Sequence, residues 1–213
     1  MKKQSNREFI KSYFAESQKI IKKISIRDVS KMIELIFEAW QQEATVFVMG
    51  NGGSASTASH FAADLSKYTI YTDAKGLKKN RFRVISLVDN PVLISAWTND
   101  NGFDSIFEQQ LEPWMRKGDI VVAFSVHGGS LRPGGGKWSQ NIPKACEITK
   151  ARGGKIIGFS GDEGGSLKQV ADACIVVPTI YRETITPQVE GMHVVIHHLI
   201  IHRLKELIHL WGK

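Results

Sequence analysis

The sequence has little cysteine and no long apolar run, and these shortages exclude several classes of protein. Cys146 and Cys174 are the only cysteines in 213 residues, and they lack C-x-x-C spacing. We therefore expect two small buried side chains in a reducing compartment rather than a disulfide framework. No apolar run reaches 18 residues, and the basic start continues into mixed polar residues, so neither a membrane span nor a secretory signal is predicted. The expected location is the cytoplasm.

The remaining composition is that of a globular chain with excess positive charge. Hydrophobic residues make up 42% and charged residues 23%, and 28 Lys+Arg stand against 21 Asp+Glu, a formal charge of +7. We predict one domain over residues 1–213, with a helical segment at 1–43 and an α/β core with a terminal helix at 44–213. Six of the basic residues lie between 67 and 83, where Asp73 is the only acid. This charge suits a small phosphate ester, while nucleic acid ranks lower because no recognised module accompanies it.

The hydrophobic pattern changes period along the chain. Apolar residues recur at helical spacing from 6 to about 25 and from about 28 to 43. Short β-branched runs at 45–49, 82–88, 119–124, 155–159 and 173–177 then alternate with helical patterns at 54–66 and 140–152. This alternation predicts an α/β fold with a parallel sheet covered on both faces. A long apolar stripe from about 188 to 210 predicts a terminal helix.

Turns rich in glycine and serine follow three of the predicted strands, at 50–54, 125–130 and 160–166. Ligands of open parallel sheets bind at the carboxyl ends of the strands, and a helix N-terminus attracts anions. We therefore predict a site for a phosphorylated small molecule. A dinucleotide site is disfavoured because Asp89 comes too late to be the ribose-binding acid, and a P-loop is excluded because no G-K-[ST] follows the glycines. The candidate substrate-binding residues in the first two turns are Asn51, Gly52, Gly53, Ser54, Ser125, His127 and Ser130.

A second group of residues has the chemistry of a metal site. His60 and Asp64 lie one turn apart on one helix face, and the terminal helix carries Glu190, His193, His197 and His198. Two histidines and two carboxylates suit Zn²⁺ or another divalent first-row metal. Glu190 and His198 are separated by about 12 Å along an ideal helix, whereas Glu190, His193 and His197 form a cleaner stripe. Periodicity leaves the choice of histidine open, and His202 and His209 are expected to be core or surface residues.

These motifs together resemble the sugar isomerase (SIS) domain of the phosphoheptose (sedoheptulose 7-phosphate) isomerases. The resemblance rests on Gly50-Asn51-Gly52-Gly53-Ser54, on 60–65, on Asn99-Asp100-Asn101-Gly102-Phe103, and on the carboxylate-to-histidine spacing of the terminal helix. It implies a three-layer α/β fold with a five-stranded parallel sheet, a homotetramer with active sites between subunits, and zinc in many members. The implied activity is aldose–ketose isomerisation in heptose biosynthesis.

The resemblance also assigns roles to residues of this sequence. Phosphate contacts fall on Ser54, Ser125 and Ser130, and the sugar-binding aspartate on Asp100. The implied metal ligands are His60, Asp64, Glu190 and His198, with His193 as a supporting neighbour. The implied base is Asp64 and the implied acid is His198, with Glu190 as a credible substitute base.

Four departures from the family pattern concern the same site. Asp64 stands where a glutamate is usual, Glu190 replaces a glutamine, His127 replaces a serine of the phosphate turn, and an insertion lies around Arg132 to Trp138. These departures leave the identity of the sugar substrate open. The alternative function is a non-catalytic sugar-phosphate sensor or assembly partner, which would have no use for the complete set of metal-type residues.

Overall fold

The computed structural model describes residues 4–72, 80–129 and 138–211. Five strands are present: β1 (Thr45–Gly50), β2 (Arg83–Ser86), β3 (Ile120–Phe124), β4 (Lys155–Gly161) and β5 (Ala173–Val177). The helices are α1 (Asn6–Ile21), α2 (Ile26–Gln41), α3 (Gly53–Lys67), α4 (Pro91–Asn101), α5 (Glu108–Leu111), α6 (Asn141–Ala151), α7 (Gly165–Val170) and α8 (Ile185–Trp211), with 3₁₀ turns at Phe103–Ser105 and Arg182–Thr184.

The strands form one parallel sheet in the order β2-β1-β3-β4-β5. In the register, Val46 of β1 pairs with Val84 of β2 on one side and with Ile120 of β3 on the other. The chain therefore leaves β1 in one direction to reach β2 and later returns to the other side of β1 for β3. Such a reversal opens a crevice beyond the carboxyl ends of β1 and β3.

Alternating side chains of the strands supply two buried cores, one on each face of the sheet. Val46 and Val48 pack into the core formed with α2, α3 and α8. Phe47 and Met49 point the other way, into a core with α5, α6 and α7. The central strands β1, β3 and β4 are buried on both faces because helices cover both, whereas the edge strand β2 is exposed or half-buried throughout. The predicted three-layer α/β fold is confirmed.

The predicted elements differ from the observed ones mainly at their ends. β2 is confined to Arg83–Ser86 within the predicted 82–88, and α8 begins three residues before the expected 188. The sequence patterns missed α4, which begins after Asn90 with the Asn90 side chain accepting a hydrogen bond from the Leu93 amide at 3.0 Å. Ser5 and Ser25 cap α1 and α2 in the same way. Among the described helices, none is both long enough and apolar enough to cross a membrane.

Candidate functional site

A cavity of about 410 Å³ lies beyond the carboxyl ends of β1, β3 and β4. The turn after β1 contributes Asn51 and Ser54, and Glu190 of α8 closes one side. The turn after β3 contributes Ser125, Val126, His127 and Gly129, and the segment after β4 contributes Asp162, Glu163, Gly165, Ser166 and Gln169. Trp138 and Ser139 complete the lining. The predicted Gly/Ser turns therefore do meet at one edge of the sheet.

The turn from β1 into α3 places the start of a helix at this cavity. Gly52 has a φ of +57°, a conformation that favours glycine, and Ser54 is buried in the first turn of α3. A Cβ on Gly53 would collide with both carboxylate oxygens of Glu190, so the acidic side chain of α8 lies directly over the first residue of α3. The N-terminal end of α3 favours negative charge there.

Asn51 is held by a residue of α6. The Asn51 side-chain amide donates to Asn141 Oδ1 at 2.9 Å, and the Asn141 amide donates to Asn51 Oδ1 at 3.0 Å. Asn141 is fully buried. The pair joins the turn after β1 to the start of α6, so Asn51 lines the cavity with its amide group already paired.

The turns after β3 and β4 are interlocked. Ser125 Oγ accepts a hydrogen bond from the Gly128 amide at 3.1 Å. The amides of Ser166 and Leu167, at the start of α7, donate to the carbonyl oxygens of Gly129 and Gly128 at 3.2 and 3.0 Å. The start of α7 therefore supports the turn after β3 and has fewer free amides for a ligand. Ser130, the last expected phosphate contact, lies outside the described residues, as do 73–79 of the basic segment and 131–137 of the insertion.

His127 and Trp138 form a wall of the cavity that the family pattern does not include. His127 Nδ1 lies 3.6 Å from Asp162 Oδ2, and the rings of His127 and Trp138 have centroids 5.8 Å apart. The imidazole and the carboxylate add polar groups to this wall of the cavity. Trp138 presents an exposed aromatic surface beside it.

The metal-type residues converge on one carboxylate oxygen. His60, Asp64, His197 and His198 each offer a ligand atom within 4.8 Å of the others. The Nε2 atoms of His60, His197 and His198 lie 3.5, 3.6 and 3.5 Å from Asp64 Oδ2. These separations are long for hydrogen bonds but match the edge of a tetrahedron with ligands about 2.0–2.1 Å from a zinc ion, which is about 3.3–3.4 Å. The donors and their spacing therefore fit a divalent first-row metal.

Two buried histidines of α8 differ in their surroundings. His193 lies between Phe124 and Phe159, and its Nε2 donates to the Ser160 carbonyl oxygen at 3.2 Å. Burial lowers the pKa of His193 to about 4. His197 is fully buried, and neither of its ring nitrogens has a hydrogen-bond partner. Burial, followed by the neighbouring rings of His198, His60 and His193, lowers the pKa of His197 to about 3, so the ring is neutral at pH 7.

Two expected site residues, Glu190 and Asp100, lie apart from the metal group. Glu190 lies beside Gly53, and His198 beside Asp64, so α3 and α8 run side by side in the same direction. Because α8 is helical from Ile185 onwards, Glu190 stays about two turns from His197 and His198. Asp100 is exposed at the end of α4, where it accepts a hydrogen bond from Asn99 at 2.7 Å, and it does not line the cavity in the described chain.

Comparison with known proteins places this arrangement in a family. Residues 12–161, more than half of the chain, match the SIS domain. The chain belongs to the SIS domain family. It is 43% identical over 167 residues to the lincomycin biosynthesis protein LmbN of Streptomyces lincolnensis, a match covering 78% of this chain and 58% of that protein. It is 30% identical over 193 residues to the phosphoheptose isomerase of Helicobacter pylori, covering 89% of this chain and 90% of that enzyme.

The fold of this SIS domain also has a solved counterpart. Phosphoheptose isomerase GmhA from Neisseria gonorrhoeae superposes with a TM-score of 0.79 at 24% identity, over 95% of this chain and 100% of that one. The likeness confirms the five-stranded SIS architecture inferred from the sequence.

Sequence reasoning missed several residues that shape the site of this SIS domain. Asn141 begins α6 in a segment with no turn signature, and its pairing with Asn51 leaves no trace in periodicity. Gln169 lies on the short helix α7, which the patterns also missed. His197 was named among the candidate metal residues but not singled out, because only the contact between α3 and α8 distinguishes it from the other histidines of the apolar stripe.

Proposed function

We propose that this SIS domain is a phosphosugar isomerase that interconverts a ketose phosphate and an aldose phosphate. The observation that carries the proposal is the placement, on α3, of a Gly/Ser anion site at the helix start and a His/Asp group about two turns later. A phosphate holder alone would serve a sensor, but the second group supplies chemistry that mere binding does not need.

The proposed substrate class is a sugar phosphate of several carbons, with sedoheptulose 7-phosphate as the first candidate. Relatives named phosphoheptose isomerase, matched over most of their length, support it. The likeness to a lincomycin biosynthesis protein, together with the His127 and Trp138 wall, makes other long-chain ketose phosphates worth testing.

The proposed reaction moves a proton between C1 and C2 through an enediol. Ser54, Ser125 and Ser130 would hold the phosphate with the backbone amides of Gly52 and Gly53, while His127 would face it with Asp162 behind. Asp64 or Glu190 would remove the carbon-bound proton and return it to the neighbouring carbon. His198 Nε2 faces the metal group, so the proton that His198 would give to the carbonyl oxygen and take from the hydroxyl would be carried on Nδ1. Binding of the distant phosphate orients the reacting carbons.

A divalent metal, Zn²⁺ in the first instance, is proposed as the cofactor. His60, Asp64 and His198 would hold it, and Glu190 is the fourth ligand that the family resemblance suggests. The metal would polarise the substrate carbonyl and so favour loss of the neighbouring proton.

We further propose that the working form is a homotetramer with active sites between subunits. His60 and His198 are half-exposed, at 49% and 50% of their side-chain area, so the metal group is open on one side of a single chain. Exposed apolar residues on α1 and α4, among them Phe9, Phe14 and Val92, offer surfaces for self-association.

In the experiment, protein whose metal content has been measured is incubated with sedoheptulose 7-phosphate and with other ketose phosphates of five to seven carbons. NMR in D₂O should show the aldose and deuterium at the carbon that exchanges its proton. The variant His60→Ala should lose both bound metal and turnover. Full activity in that variant would exclude the metal-assisted mechanism, and tight binding without turnover of any sugar would favour the sensor function.

A further inference from the structure

The structure gives the metal group a donor that the family resemblance does not. We infer that His197, rather than Glu190, completes the ligand set with His60, Asp64 and His198. The inference rests on the proposed metal-assisted function and names the residues that hold the metal within it.

The first argument is distance. His197 Nε2 is 3.6 Å from Asp64 Oδ2, the same separation within 0.1 Å as those of His60 and His198. Three imidazole nitrogens around one carboxylate oxygen cannot all donate to it at such distances, but all four ligand atoms lie within 4.8 Å of one another and so can converge on one ion.

The second argument is the state of the His197 ring. It has no exposed side-chain area, and neither ring nitrogen has a hydrogen-bond partner. A buried polar atom without a partner is costly, and a metal–nitrogen bond would remove that cost at Nε2. His193, one turn earlier on α8, has one unpartnered ring nitrogen, Nδ1, where His197 has two, since His193 Nε2 donates to a backbone carbonyl oxygen.

The third argument is the position of Glu190. Its carboxylate oxygens lie over Gly53, and its side chain lines the cavity. Along α8 it is separated from His197 by seven residues, or about 10 Å. Glu190 therefore lies at the anion end of the cavity, about two turns of α8 away from the metal group.

The decisive measurement is zinc X-ray absorption on the unmodified, zinc-loaded protein. Three imidazoles in the zinc shell are expected if His197 is a ligand. Two imidazoles with two oxygen-donor side chains would overturn the inference. Because no residue is changed, misfolding of a variant cannot obscure the answer.

Variants provide a second readout, the zinc dissociation constant measured by competition with a chelator. His197→Phe keeps a ring of similar size and should raise that constant by at least about tenfold. Glu190→Ala should leave it within about twofold; alanine is used because a glutamine could still bind metal. His202→Ala is the matched control, since His202 is on the same helix but outside the group.

The outcomes separate this inference from the proposed function. Zinc lost in Glu190→Ala but kept in a folded His197→Phe would refute the inference and leave metal-assisted isomerisation intact. A wild-type protein that binds no zinc or other first-row metal would refute both. Zinc lost in His197→Phe, with zinc kept and turnover lost in Glu190→Ala, would support the separate roles of the two residues.

Discussion

At the scale of single residues, His193 couples the stability of the core to pH. Its ring is buried between two phenylalanines, and burial lowers its pKa to about 4, against about 6.5 in the unfolded chain. Below pH 6.5 the unfolded state therefore binds a proton that the folded state does not. The stability contributed by the neutral ring is complete above pH 6.5 and is lost as the pH falls toward 4.

We expect His193 to account for about 3 kcal/mol of the loss in unfolding free energy between pH 7 and pH 4. The variant His193→Gln keeps a donor for the Ser160 carbonyl oxygen but does not titrate. Its unfolding free energy, measured with urea at one protein concentration, should depend less steeply on pH than that of the wild type. Parallel pH curves for the two proteins would contradict this role.

Gly53 determines where the Glu190 side chain lies. A methyl group at position 53 would overlap the Glu190 carboxylate, which is the movable end of a flexible side chain, so the backbone need not shift. Gly53→Ala should therefore fold normally, keep its metal, and lose at least about tenfold in kcat. Glu190→Gln is the companion variant, which removes the carboxylate instead of moving it. Equal kcat values for Gly53→Ala and the wild type would show that the position of the Glu190 carboxylate does not affect turnover.

At the scale of elements, the Asn51–Asn141 pair joins two helix starts across the cavity. Removing either partner leaves the other amide without its hydrogen bonds in a partly buried place, which costs about 1–3 kcal/mol. The double variant Asn51→Ala with Asn141→Ala should cost less than the sum of the single variants. Urea unfolding of all four proteins tests the coupling, and additive losses would mean that the two side chains act independently.

The elements also show what the sequence could predict. The five strands were predicted because each contains a short run of β-branched or aromatic residues, although β2 is exposed or half-buried at every position. The helices α2, α3 and α8 were predicted because each has one buried face. α4 was missed because none of its residues is fully buried, and Ile94 and Trp97, which pack against a core, are too few to give a helical period. For the site, the sequence predicted which types of residue are present. The placement of Glu190 and His197 was not predicted, because the period of α8 says which residues share a face but not which part of α3 lies opposite.

At the scale of the whole molecule, Asp100 belongs neither to the metal group nor to the cavity lining among the described residues of one chain. Asp100 lies outside the cavity, at the exposed end of α4. If the proposed tetramer brings Asp100 of one subunit to the site of another, two inactive variants should repair each other. Mixing and reassembling His60→Ala with Asp100→Asn should restore activity at about a quarter of the sites, because random pairing gives that share both intact residues.

The control for this experiment is the mixture of His60→Ala with Asp64→Ala, whose lesions lie on the same helix and cannot repair each other within one group. The activity of both mixtures is measured after the same cycle of dissociation and reassembly. No recovery with Asp100→Asn, despite proven exchange of subunits, would show that each chain supplies its own complete site.

The parallel run of α3 and α8 has a final consequence for substrate choice. The anion site at Gly53–Ser54 and the His60–Asp64 pair lie on one helix, α3, with His60 about two turns from Gly53, so the span between them is fixed. The helix therefore sets the distance between the anion site and the metal group. A sugar phosphate that is anchored by its phosphate must extend about 10 Å to present its carbonyl to the metal group, and a triose phosphate is too short to reach. Under the proposed function, chain length, rather than the configuration of any one hydroxyl, would be the first property by which this site selects a sugar phosphate.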